Sequence, residues 1–289
     1  MGRVLTLREC ADNATRRLLA VYPAREARWM VRIIFEQIKG WSQTDMAIRS
    51  DQQISDYIAG KVNDVVDRLL RHEPIQYIFG ETRFYGLTLK VSPDVLIPRP
   101  ETEELVDLIV ADSSGRSDLA VMDLCTGSGC IAVALARNLP FSSVTAVDIS
   151  EKALAVAKEN AALTKTKIEF IKADVLDIKT TDGPEFDIII SNPPYIAESE
   201  KADMNPNVLD HEPPLALFVP DSDPLKFYRA ISMYAQKTLK PGGHLYFEIN
   251  PLYSSELVTM LKNNEWDNID LLPDMQKKMR FIRAVRTSD

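Results

Sequence analysis

Apolar positions along the chain follow two regimes, and the change falls near residue 81. Up to residue 80 they recur every three or four positions, the period of amphipathic helices. Thr6 to Tyr22 carries Leu7, Cys10, Ala11, Ala14, Leu18 and Leu19 at that spacing. After the break at Pro23, a second helix places Ala27, Val31, Ile34, Phe35 and Ile38 on one face and ends near Gly40. Ser42 reads as the cap of a short third helix through Ile48. Ser50 opens a longer fourth, with Ile54, Tyr57, Ile58, Val62, Val65, Val66, Leu69 and Leu70 on one face. No strand is expected here, so residues 1–80 form a small all-α bundle whose stripes mark a core.

Residues 81–96 alternate instead. Thr82 to Tyr85 and Leu87 to Val91, with Gly86 between them, predict a β-hairpin. Pro93, Pro98 and Pro100 then mark an ordered connector, and helical spacing resumes over Glu101–Ala111. From residue 119, strand-like runs (119–124, 143–148, 167–172, 186–191 and 244–249) alternate with helical ones such as Ile131–Asn138 and Ser150–Leu163. Pro184 bounds the fourth of these runs. Such alternation argues for an α/β, doubly wound parallel sheet. Two further runs, 268–272 and 281–286, are joined by too short a link for a crossover helix and are expected to pair antiparallel at the sheet edge. The sheet is then mixed and seven-stranded. The expected division is 1–80 helical, 81–96 a hairpin connector, and 97–289 the α/β domain.

Composition narrows the partners. The chain is 45% apolar and 26% charged, an average soluble composition. Met1 to Cys10 lacks the apolar stretch of a signal peptide, and no run of about 18 apolar residues is present, so no membrane segment and a cytoplasmic location are expected. Cys10, Cys125 and Cys130 lack CxxC spacing, and His72, His211 and His244 are the only histidines, which supports neither a disulfide framework nor a metal site. Residues 1–80 hold 12 Lys+Arg against 10 Asp+Glu, a net of +2, whereas residues 81–289 are net −10. An acidic larger half argues against tracking a nucleic-acid backbone and suits a basic protein partner better.

Candidate chemistry lies at two strand ends. Val121 to Ala132 reads as strand, Gly-rich turn and helix start, where glycines let the backbone approach a ligand and the helix offers free N–H groups. Asp148 ends the next strand, 21 residues after Gly127, where a carboxylate can accept from a ribose diol. Gly127-x-Gly129-x-x-Ala132 formally satisfies a dinucleotide fingerprint. S-adenosylmethionine (SAM) sites use the same architecture with an acid at the end of the first strand, here Asp123. That carboxylate repels a pyrophosphate and suits the cationic methionine end of SAM, which favours SAM. Asp174, at the end of the third strand, is placed to reach an adenine amino group, with Val175 against the ring. A hydride-transferring enzyme also needs a His or a Tyr-x-x-x-Lys at the sheet end, and neither is evident.

The fourth strand runs into Ser191-Asn192-Pro193-Pro194-Tyr195. The prolines stop the ladder because they donate no N–H. A planar NH2 group is a poor nucleophile because its lone pair is delocalised. The Asn192 side-chain oxygen and the Pro193 carbonyl can hold its two N–H donors, and Tyr195 can stack on its plane. The sulfonium is already an activated leaving group, so the lack of His, Cys or carboxylate in the motif is no obstacle. The motif therefore suits methyl transfer to adenine, cytosine or a side-chain amide.

Taken together, these motifs resemble the release-factor glutamine N5-methyltransferase family (HemK/PrmC type) over nearly the whole chain. Matching stretches include 73–81, 96–103, 146–150 and 212–217. The resemblance implies a SAM-dependent methyltransferase (Rossmann-like) fold, a helical substrate-recognition domain, and a substrate glutamine in the Gly-Gly-Gln loop of peptide-chain release factors. By the family pattern, Cys125, Thr126, Gly127, Ser128, Gly129, Asp148, Asp174, Val175 and Asn192 line the SAM site, and Asn192, Pro193, Pro194 and Tyr195 clasp the glutamine, with residues 212–217 as a loop over the site. Cys125 stands where the family usually has Gly, and Val175 where some members have an aromatic residue; the first implies a small steric cost and the second weaker stacking. A ribosomal-protein glutamine methyltransferase shares the motif, an amino-methylating DNA enzyme is disfavoured by the charge, and a non-catalytic release-factor-binding module is the non-enzyme alternative.

Overall fold

A computed structural model describes residues 5–178 and 186–287. Pro184 and the outermost residues of the expected terminal domains lie outside the described residues. Two compact units are formed, one of residues up to Gly80 together with Pro206–His211, the other of Glu81–Asn205 and residues from Glu212 onward.

The helical unit contains α1 (Leu7–Leu18), α2 (Ala24–Lys39), α3 (Gln43–Ile48), α4 (Asp56–Leu69) and α5 (Ile75–Phe79). Capping sets most of these boundaries. Thr6 Oγ1 accepts the Glu9 N–H at 3.2 Å while the Glu9 carboxylate accepts the Thr6 N–H at 3.0 Å, and Ser42 and Asp45 repeat the box at α3. Gly40 ends α2 at φ +68°, where a Cβ is costly. Ser50 does not open the fourth helix. Its carbonyl accepts the Arg8 N–H, and the Gln52 carbonyl accepts that of Leu7, so this stretch caps α1, and Ser55 starts α4 instead. Leu7, Leu18, Ile34, Phe35, Val62, Val66 and Leu69 form the buried core where α1, α2 and α4 meet.

The second unit begins with β1 (Glu81–Phe84) and β2 (Leu87–Lys90), an antiparallel hairpin. Tyr85 and Gly86 both have positive φ, as a tight two-residue turn of this hand requires. Then come α6 (Pro100–Asp112), β3 (Ala120–Leu124), α7 (Cys130–Asn138), β4 (Ser143–Asp148), α8 (Glu151–Thr164), β5 (Ile168–Lys172) and β6 (Phe186–Ser191). Short β7 (Ile196–Ala197) and β8 (Phe218–Val219) pair parallel, and α9 (Pro206–Leu209) lies between them in sequence. The chain closes with α10 (Lys226–Thr238), β9 (Leu239–Glu248), α11 (Ser254–Asn263), β10 (Asp267–Pro273) and β11 (Met279–Val285).

Seven strands form one sheet in the order β10-β11-β9-β6-β3-β4-β5. Neighbours from β9 to β5 are parallel, whereas β11 runs antiparallel to β9 and to β10. The expected antiparallel pair is thus at the edge. The core lies on both faces: Leu105, Ile109, Val133 and Leu135 pack on one, Tyr228, Ile231, Leu257 and Trp266 on the other. Strands β3, β4 and β5 progress one way and β6 returns to the other side of β3, so the sheet reverses its winding between β3 and β6. Leu124 and Ser191 are register partners there, which brings the two motif-bearing strand ends side by side at the position where open α/β sheets bind ligands. No described helix is long and apolar enough to cross a membrane.

Candidate active site

Beyond the carboxyl ends of β3, β4 and β6 opens a cavity of about 340 Å³, within the size range of small-ligand sites. Of the residues singled out from sequence, Cys125, Thr126, Gly127, Ser128, Asp148, Asp174, Val175, Asn192 and Pro194 line it. Asp123, Gly129, Pro193 and Tyr195 are not on its wall.

Burial explains where Asp123 sits instead. It is fully buried beneath the loop, its Oδ2 accepting from Thr126 Oγ1 at 2.6 Å and from the Ala132 N–H at 3.2 Å, while Oδ1 finds no partner among the described residues. Desolvation pushes its pKa up to about 7 against these two hydrogen bonds. Its structural effect is to tie the loop to the start of α7. Gly129, at φ +77°, is the packing glycine: a Cβ there would lie 2.9 Å from the Ala157 Cβ. Gly127 differs, since at φ +55° a Cβ would meet nothing within 4 Å, which leaves bare backbone facing open space. Cys125 has φ +62°, a conformation that costs a side chain about 1 kcal/mol. Burial raises its thiol pKa, with the Asp148 charge adding to the rise, so it is no ready nucleophile.

Asp148 accepts the Gly127 N–H and the Ser150 N–H, each at 2.9 Å, and burial nevertheless raises its pKa. Each oxygen keeps a lone pair for a hydroxyl donor. Asp174 caps its own turn, its Oδ1 accepting the Leu176 N–H at 2.9 Å. Ile149, Leu176 and Leu215, exposed apolar side chains at the same cavity, give it walls suited to a flat ring. Pro213, Leu215 and Ala216 form part of the lining, and buried Glu212 fixes that stretch by accepting from the Arg99 guanidinium at 2.5 Å and the Ile97 N–H at 3.2 Å.

At the β6 end, Asn192 reaches the cavity with its Nδ2 donating to Thr102 Oγ1 at 3.4 Å, which leaves Oδ1 as an acceptor. Half-buried Tyr195 packs its ring against the core layer that holds Phe247, and its hydroxyl donates to Glu248 Oε1 at 3.1 Å. Burial, then the Glu248 charge, raises the pKa of that hydroxyl, which stays protonated. Three residues here escaped the reading of the sequence. Thr102 and Glu248 are both buried and joined by a 2.7 Å hydrogen bond. Asn160, on α8, donates to the Ser128 and Lys90 carbonyls and accepts the Lys90 N–H, clamping the loop to β2. The signal for each is a polar side chain inside an otherwise apolar face, as with Glu248 after Leu245-Tyr246-Phe247.

Comparison with known proteins agrees with this architecture. Residues 102–212 match the family described as Methyltransferase small domain, and residues 9–80 that described as PrmC N-terminal domain. A release factor glutamine methyltransferase of Bacteroides thetaiotaomicron is 43% identical over 92% of this chain and 95% of its own length. One from Flavobacterium psychrophilum is 41% identical over 92% and 94%. Among solved structures, a 16S rRNA methyltransferase of T. thermophilus in complex with AdoMet and guanosine superposes with a TM-score of 0.53 at 20% identity, over 71% of this chain and 49% of that one, a likeness of fold.

Proposed function

The chain belongs to the release factor glutamine methyltransferase family, and from that membership we propose that it methylates the side-chain amide nitrogen of the Gly-Gly-Gln glutamine in a peptide-chain release factor, with SAM as the donor. One observation carries the chemical part: the polar end of a nucleoside-sized cavity holds a carboxamide whose N–H is already committed, so that it offers an acceptor to an incoming NH2 group. The residues present fit SAM. Bare backbone at Gly127 gives close approach, Asp148 suits a ribose diol, and Val175 and Leu176 suit a ring, whereas Asp123, buried beneath the loop and off the cavity wall, does not take the part of counter-ion to the cationic end that the sequence suggested.

SAM supplies an activated methyl group. Asn192 Oδ1 would take one N–H donor of the substrate amide and turn its nitrogen toward that methyl, while the Pro193 carbonyl, the second acceptor expected from the sequence, is not on the cavity wall. Held by the 125–128 loop, Asp148 and Val175, SAM would supply a methyl group whose bond to sulfur is exchanged for one to the amide nitrogen, the bonding pair remaining on sulfur. The N-methylated amide, briefly cationic, loses one proton to water. Cys125 and Tyr195, both held protonated, take no part as bases. The helical unit up to Gly80 recognises the release factor, a role supported by its match to the PrmC N-terminal domain.

Incubating the protein with labelled SAM and a purified release factor tests this reading. Label is expected on the intact factor and not on its Gln→Ala loop variant. Equal labelling of both sinks it, and labelling of a ribosomal protein alone redirects it.

A further inference from the structure

Two carboxylate oxygens of Glu248, at the end of β9, each receive a hydroxyl: Oε2 accepts from Thr102 Oγ1 at 2.7 Å and Oε1 from the Tyr195 OH at 3.1 Å. Glu248 and Thr102 are each 1% exposed, so no bulk water competes for these bonds. We propose that Glu248 is a positioning residue for methyl transfer, acting through Thr102 on the Asn192 amide. This inference rests on the methyltransferase reading above.

Both oxygens of Glu248 accept, one from Thr102 Oγ1 and the other from the Tyr195 hydroxyl, so the Thr102 proton points to Glu248. Only a lone pair of Thr102 Oγ1 then remains for Asn192, and only the Nδ2 end of a carboxamide can donate to it. The Asn192 oxygen is thereby turned to the acceptor role that binding a substrate NH2 demands. A flipped Asn192 presents an NH2 to an NH2, a donor against a donor. The Nδ2–Oγ1 separation of 3.4 Å is long, as is common at catalytic groups before substrate is bound. Three elements meet in this chain, with Thr102 in the first turn of α6, Glu248 closing β9 and Asn192 following β6. Burial raises the pKa of Glu248, and the hydrogen bonds from Thr102 and Tyr195 and the Arg280 charge oppose that rise while Glu101 adds to it; Tyr228 donates to the Glu248 backbone carbonyl at 3.1 Å, which anchors the strand end.

The test uses the full chain with three substitutions. Thr102→Val keeps the volume and removes the hydroxyl, Thr102→Ser keeps the hydroxyl, and Glu248→Gln puts a donor where one acceptor stood. Thr102→Val and Glu248→Gln are expected to lower kcat about tenfold to a hundredfold, the scale of a misaligned reacting group. SAM affinity should stay within about twofold, and Thr102→Ser should recover most of the rate. In parallel, the Asn192 side-chain amide signals, identified in asparagine-labelled protein by their loss in Asn192→Ala, should shift in Thr102→Val and Glu248→Gln but not in Thr102→Ser. Wild-type turnover in Thr102→Val, or equal loss in Thr102→Ser, overturns the proposal, as does a SAM affinity that falls in step with kcat. Wild-type protein that methylates no release factor overturns the functional reading alone, and the amide signals then decide the positioning role.

Discussion

At the scale of single residues, the two loop glycines separate folding from binding. Gly129→Ala puts a Cβ 2.9 Å from that of Ala157 and 3.2 Å from its Cα, so it should lower stability by about 2 kcal/mol or more. Gly127→Ala meets nothing, so its strain of about 1 kcal/mol is smaller and its main expected effect is weaker SAM binding. Thermal melts and calorimetric titration distinguish the two. Asp123 gives a pH prediction. Its pKa rises from 3.8 in the open chain to about 7 in the fold, so the folded state keeps a proton that the unfolded chain releases. The Asp123 contribution to stability is therefore full below about pH 4 and declines as pH rises through about 7, by on the order of 4 kcal/mol in all. Asp123→Asn should flatten that decline in urea midpoints taken across the range. Most of the cavity wall was legible because Cys125, Asp148, Asp174 and Asn192 follow strand ends, and a strand end fixes where a residue goes. Thr102 and Glu248 were not, because their roles depend on three segments meeting.

Helices and strands were legible wherever the period was clean. The five parallel strands and the antiparallel β10–β11 pair appear in their expected places, and β9 starts earlier than its apolar run because Leu239 pairs with Phe186 before the ladder slips. The start of α4 was misplaced for a definite reason. Ser50 and Ser55 are equally good caps by type, and only the docking of residues 50–53 against the N-terminus of α1 assigns them. Ser55→Ala should therefore cost the helical unit about 1 kcal/mol, whereas Ser50→Ala, whose contribution is a side-chain contact with Arg8, should change stability by less than about 0.5 kcal/mol. Chemical unfolding followed by circular dichroism reads both.

For the whole molecule, charge and topology act on different questions. The net −10 of residues 81–289 bears only on the choice of partner, whereas the reversal between β3 and β6 places the cavity whatever the partner is. Neither observation alone reaches a glutamine amide, which required the family. The helical unit is written in two places in the sequence, since Pro206–His211 belongs to it, and His211 Nε2 lies 3.1 Å from the Arg71 carbonyl. The next residue along the chain is Glu212, which fixes the cavity's covering stretch. Residues 1–80 are thus not a cassette: a relative's first 80 residues grafted alone would inherit a foreign clasp, and a chimaera should regain native stability only when the donor's 206–211 travels with them.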